Sequence, residues 1–150
     1  MIKITRACSS NFYEMNRVFN DVCLEDGFYK PLTLENYKSK LESIPGFSYD
    51  GVFLAYDNET LVGFGIGILK GNHVGAINSI LVKKEYRDQG IGSYILNDLA
   101  KQYDSKKIIV DIEKIKDTSN KEQRIKRKQF YLKNDFKETD VFYAWQGEDY

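Results

Sequence analysis

The sequence predicts an α+β fold: a mixed sheet, antiparallel at its start, that gains a parallel pair through a crossover helix. Three observations carry this. Residues 51–56, 61–69 and 74–83 are apolar runs separated only by Asp57-Asn58-Glu59-Thr60 and by a turn at Gly71-Asn72. Strands joined by loops that short must be antiparallel neighbours. From Ile91 the apolar positions switch to helical spacing, and residues 107–112 return to a β-rich run. A strand reached through a helix lies parallel to the strand before it.

The remaining elements follow from local chemistry. Residues 1–5 alternate like a short first strand. Ser9, Ser10 and Asn11 can cap a helix that carries Phe12, Met15, Val18, Phe19 and Val22 at helical spacing. Asp26-Gly27 and Lys30-Pro31 break it. Thr33 is the expected N-cap of a second helix with Leu34, Tyr37 and Leu41, ending near Ile44-Pro45-Gly46. Gly63, Gly65 and Gly67 alternate with larger residues and thin one sheet face, for tight helix packing or for a ligand. Ile91, Ile95 and Leu99 form a period-4 stripe that Tyr94, Leu96 and Tyr103 widen into a buried face. Residues 120–134 read as a basic helix, and 136–145 as one or two strands.

A chain of 150 residues fits one domain, expected over 1–150. Lys plus Arg (22) balance Asp plus Glu (22), so the net charge is zero. Global electrostatics therefore give no support for nucleic-acid binding. Cys8 and Cys23 lack metal-ligand spacing and are expected as reduced thiols, with no metal site. No signal-peptide pattern opens the chain, and no apolar run approaches the roughly 20 residues that span a bilayer. A cytoplasmic protein without a membrane partner is the expectation.

One segment carries chemistry. In Ile80-Leu81-Val82-Lys83-Lys84-Glu85-Tyr86-Arg87-Asp88-Gln89-Gly90-Ile91-Gly92 a strand ends, a polar loop follows, and two glycines open a helix. Free N–H groups and partial positive charge at a helix N-terminus suit a phosphate. Glycine lets a pyrophosphate approach the backbone, and Arg87 offers a forked charged donor. The third glycine of a dinucleotide fingerprint is missing, as is the Gly-Lys-Ser/Thr of a P-loop. Taken alone, the turn could equally serve packing.

The run Arg87-Asp88-Gln89-Gly90-Ile91-Gly92 resembles the R/Q-x-x-G-x-G/A signature of the GNAT superfamily of N-acetyltransferases. Gln129-Phe130-Tyr131-Leu132-Lys133-Asn134-Asp135-Phe136-Lys137-Glu138 is similar to that family's FY-x-x-x-GF helix-to-strand segment, with Asp135 where Gly is usual. Asn134 or Asp135 must then adopt a left-handed conformation, which these residues tolerate better than most.

The resemblance implies a GNAT-like sheet whose parallel pair, residues 74–83 and 107–112, splays apart around acetyl-coenzyme A as cosubstrate. It implies that Leu81 and Val82 pair with the pantetheine arm, and that Arg87, Asp88, Gln89, Gly90, Ile91 and Gly92 hold the pyrophosphate. Tyr131 matches the tyrosine that protonates the departing thiolate, or else an aromatic packed against the cosubstrate. On the fifth strand Ile109, Asp111 and Glu113 share one face. Glu113 is the preferred base, directly or through a water, by resemblance to an acidic residue of relatives. Asp111 is a ligand for the substrate ammonium, and Asn78 and Ser79 are weaker substrate-binding candidates. Those carboxylates could equally be a solvated strand end.

His73 is expected at the surface beside a turn. The basic helix (Lys121, Arg124, Lys126, Arg127, Lys128, Lys133) is expected as a solvated face, with the 3′-phosphate of coenzyme A or an acidic partner as other readings. The expected partners are acetyl-coenzyme A and an amine acceptor, with a homodimer left open. Phe28, Tyr29, Tyr37 and Phe47 line an acceptor pocket or belong to the core. The alternative function is a noncatalytic coenzyme A-binding regulatory module on the same fold.

Overall fold

A computed structural model describes the chain except residues 28–29, 72–73, 104–106, 113–114, 117–118, 140, 142–143, 146–147 and 150; at 144–145 and 148–149 it describes the backbone alone. The chain divides into two compact units, Met1–Val110 and Asp111–Tyr150.

The first unit opens with β1 (Ile2–Arg6), α1 (Phe12–Asp26), α2 (Leu34–Glu42), β2 (Val52–Asp57) and β3 (Thr60–Lys70), and continues with β4 (Val74–Val82), α3 (Ile91–Gln102) and β5 (Lys107–Val110). Its sheet runs β1-β2-β3-β4-β5. The first four strands are antiparallel neighbours, and β5 lies parallel to β4. This is the mixed sheet expected from the strand spacing. Local signals explain the helix ends. Thr33 accepts a hydrogen bond from the Asn36 N–H, and Gly27 closes α1 with φ 67°.

Strand alternation sends apolar residues to both faces of the sheet. Val52, Leu54, Phe64 and Ile66 are buried in one cluster with Phe12, Met15, Val18 and Val22 of α1 and Tyr37 and Leu41 of α2. The other face is thin. A Cβ built at Gly65 would come 2.3 Å from Ile95 Cγ2 and 3.0 Å from Leu99 Cδ1, while one at Gly75 would meet the Tyr103 ring at 2.6 Å. Of the alternating glycines, Gly65 and Gly67 therefore serve close packing of α3 and Tyr103, one of the two uses expected, whereas a Cβ at Gly63 would meet the Leu81 carbonyl oxygen at 2.7 Å. Ile91, Ile95, Leu96, Leu99 and Tyr103 are buried, whereas Tyr94 is 58% exposed. Tyr94 is thus a correction to the expected helix face: it sits in the first turn beside Gly90, on the solvent side of the stripe.

The second unit holds α4 (Lys121–Lys133) and two short strands, β6 (Ala144–Trp145) and β7 (Glu148–Asp149), paired antiparallel. Residues 136–139, expected as strand, have no regular structure. The end of α4 itself is well defined. Asp135 takes φ 71°, its N–H donates to Leu132 O, and the Phe136 N–H donates to Tyr131 O. With the Tyr131 and Phe136 rings 5.3 Å apart, this is a complete Schellman motif with its hydrophobic contact. Arg124, expected on a solvated face, is buried, and its Nε donates to Asn120 Oδ1 at 3.0 Å. No helix among the described residues is long and apolar enough to cross a membrane.

Candidate functional site

The parallel pair is short. β5 pairs with β4 only from Val74↔Lys107 to Ile77↔Val110. Among the described residues, 78–82 continue alongside β3 alone, through Ser79↔Ile66, Ile80↔Gly65, Leu81↔Phe64 and Val82↔Gly63. The fifth strand, expected to reach residue 112, stops at Val110, so Asp111 lies beyond it and is exposed. Where the pairing stops, β4 bulges: Ile77 faces Gly67 and Ser79 faces Ile66, leaving Asn78 as the extra residue. The bulge shifts the alternation by one, which lets Leu81 pack against the α1–α2 core. Asn78 itself is exposed and Ser79 half-buried.

Beyond Val82 the chain makes a single 3-10 turn, Lys84–Tyr86, and then enters α3. Asp88 (φ 62°) and Gly90 (φ 81°) both take left-handed backbone, and Gly90 is the N-cap. No side chain caps the helix. The N–H groups of Gly90, Ile91, Gly92 and Ser93 meet no acceptor among the described residues. Asp88, Gln89 and Gly90 are exposed, so this cluster of donors opens to solvent. Backbone N–H groups converging at a helix start form an anion site.

Arg87 does something else with its side chain. Its Nη1 and Nη2 each donate to Asp26 at 2.9 Å, and its Nε donates to the Val82 carbonyl at 2.9 Å. The forked donor expected to face phosphate is occupied by a carboxylate of α1. Asp26, together with Glu25, which accepts from the Lys84 N–H at 3.0 Å, was not singled out by sequence reasoning. The available signal was a pair of acids closing a helix at Asp26-Gly27.

Among the candidates in the second unit, Tyr131 is 7% exposed, its ring between Phe130 (5.0 Å) and Phe136 (5.3 Å). Of the basic helix, Lys128 Nζ lies 2.6 Å from Glu138 Oε1. Glu113, the expected base, lies outside the described residues, as do His73, Phe28 and Tyr29. Tyr37 and Phe47 belong to the aromatic core on α1: Tyr37 packs on Phe12 and Phe19, and Phe47 on Tyr49.

The first unit is thus an α+β fold whose parallel strand pair ends at Ile77↔Val110 and whose crossover helix starts at Gly90 without a side-chain cap. Residues 48–138 match the family model described as "Acetyltransferase (GNAT) domain", and the chain belongs to that family. Its fold is similar to that of the PaiA N-acetyltransferase of Thermoplasma acidophilum in complex with coenzyme A (TM-score 0.71, 18% identity, 99% of this chain and 96% of that one). It also resembles the ribosomal-protein-S18-alanine N-acetyltransferase of Escherichia coli (TM-score 0.70, 15% identity, 99% and 89%). A candidate acetyltransferase of Pyrococcus horikoshii is 24% identical (TM-score 0.63) over 85% of this chain, which spans only 42% of that longer one. No curated protein matches in sequence.

Proposed function

We propose that the protein is an acetyl-coenzyme A-dependent N-acetyltransferase of the cytoplasm, acting on a primary amine of a small molecule or peptide. The observation that carries this is the conjunction of two features in one unit. Among the described residues, 78–82 of β4 have strand on one side only, and the uncapped start of α3 presents its N–H groups a short turn later. An extended amide-bearing arm along Leu81 and Val82 and a pyrophosphate at residues 87–92 would use both. The family and the coenzyme A complex of a similar fold support the same cosubstrate.

In the reaction, the neutral amine nitrogen bonds to the acetyl carbonyl carbon, the carbon–sulfur bond breaks, and the sulfur leaves with its electron pair. One proton must leave the amine and one must reach the sulfur. We assign the first to Glu113, directly or through a water, and the second to Tyr131. Asp111, Asn78 and Ser79 are assigned to the acceptor.

The test is thiol release from acetyl-coenzyme A across a panel of amines, for the wild type, Tyr131→Phe and Glu113→Gln. Turnover on at least one amine, reduced about 100-fold or more in each variant, is expected. Unchanged rates would remove both assignments. One observation supports a second reading, a noncatalytic coenzyme A-binding module: the Tyr131 ring packs on Phe130 and Phe136 at the helix end. Binding of coenzyme A without turnover on any amine would select it.

A further inference from the structure

We propose that Asp26 is a positioning residue for the acetyl-coenzyme A site, acting through Arg87; the inference rests on the acetyltransferase reading above. It starts from a local conflict. The C-terminal end of a helix carries partial negative charge and favours bases, yet the last turn of α1 has Glu25 and Asp26 and no basic residue. A helix end that contradicts its own dipole is expected to have a compensating use. Among the described residues the compensation comes from one segment, residues 83–87, between β4 and α3. Asp21 Oδ2 lies 3.5 Å from Lys83 Nζ. Glu25 Oε2 accepts from the Lys84 N–H at 3.0 Å and lies 3.9 Å from Arg87 Nη2. Asp26 takes Arg87 in a two-pronged pair, both contacts at 2.9 Å.

The arginine is the joint of this clasp. Its Nε holds the carbonyl of Val82, the last residue of β4, so one planar group ties the strand end to the helix end. A bidentate guanidinium–carboxylate pair fixes orientation as well as distance. The Asp26 side chain is only 15% exposed, so the pair is substantially shielded. Arg87 immediately precedes the two left-handed residues, Asp88 and Gly90, that aim the N–H groups of the α3 start. Asp26 reaches none of those N–H groups with its own hydrogen bonds; it fixes the residue from which the turn departs.

The test is coenzyme A binding by calorimetry and steady-state kinetics for the wild type, Asp26→Asn, Arg87→Gln, the double variant and Asp26→Glu, at a temperature where each is folded by circular dichroism. Asp26→Asn and Arg87→Gln are each expected to raise Kd and the KM for acetyl-coenzyme A about tenfold, with the KM for the amine unchanged. The double variant is expected to bind no worse than the weaker single one, because both substitutions break one joint. Asp26→Glu keeps the charge and is expected to bind within about threefold of the wild type. Should Asp26→Asn unfold, Asp26→Glu and Arg87→Gln carry the comparison. Asp26→Asn within twofold of the wild type, effects that multiply in the double variant, or equal loss in Asp26→Glu would overturn the inference. A wild type that does not bind coenzyme A would instead sink the acetyltransferase reading itself.

Discussion

Gly65 of β3 lies against Ile95 of α3 so closely that a Cβ at position 65 would stand 2.3 Å from Ile95 Cγ2. An isoleucine in a helix has little χ1 freedom, so that methyl cannot swing aside. Gly65→Ala is expected to lower stability by about 1–3 kcal/mol, the range for forcing extra volume into a packed core. The measurement is the urea midpoint with an unchanged denaturant slope. A midpoint equal to that of the wild type would mean that α3 can lift off the sheet at low cost.

A buried hydroxyl gives the second expectation. Tyr37 is 3% exposed, and its hydroxyl has no hydrogen-bond partner among the described residues. Burial pushes this phenol well above its ordinary value of 10.0, and the nearby Cys23 adds to the shift. Below about pH 10 the phenol is protonated in both folded and unfolded chains and contributes no pH dependence. Above that, the unfolded chain loses the proton first, so stability falls as pH rises. Tyr37→Phe is expected to raise stability by about 1 kcal/mol at neutral pH and to flatten part of the alkaline fall. Thermal unfolding at pH 7 and in steps above pH 10 measures both, and a destabilised variant at pH 7 would contradict the first.

The two thiols are expected to differ in reactivity. Cys8 is exposed with its Sγ 2.9 Å from Ser10 Oγ. Hydrogen bonds from the Ser10 side chain and then its backbone hold the thiol below its ordinary value of 9.0. Cys23 is buried, and burial, followed by the Asp26 charge, pushes it up. Iodoacetamide at pH 8 should label the folded protein once, at Cys8, and label Cys23 only after unfolding. Mass spectrometry of tryptic peptides reads this directly; labelling of both at similar rates would show that α1 opens readily.

Gly90 combines an exposed position with φ 81° and has only Tyr94 Cε2, at 3.8 Å, near the place a Cβ would occupy. Space is therefore not the constraint there; backbone conformation is. Gly90→Val is expected to cost about 1–2 kcal/mol of stability, because a β-branched residue is strained at that φ. Coenzyme A affinity is expected to fall at least tenfold as the N–H groups are re-aimed. Calorimetry showing affinity equal to the wild type would remove the phosphate assignment of residues 87–92.

What could be read from the chain was local. The Thr33 cap, the α3 stripe and the left-handed step at Asp135 all depend on residues within a turn of one another, and each is found where expected. Tyr94 fell on the wrong side because a period-4 stripe does not mark where the first helical turn faces. The expected β5 runs two residues too long because Ile112 continues the alternation past Val110, where pairing with β4 stops. Within the site, the glycine turn was legible because backbone chemistry writes itself into residue type. The partner of Arg87 was not, since Asp26 lies 61 positions away and no periodicity links them.

One feature of the sheet bears on how the protein behaves in crowded solution. Residues 78–82 of β4 pair with β3 along one edge, and in the first unit no strand among the described residues pairs with the other edge. Such an edge is a template for any extended chain, the same edge of a second molecule included. The bulge at Asn78 blunts it only at one end. Were two copies to associate strand to strand, this edge would be the place for it, and an extended ligand lying along Leu81 and Val82 would compete for the same backbone groups.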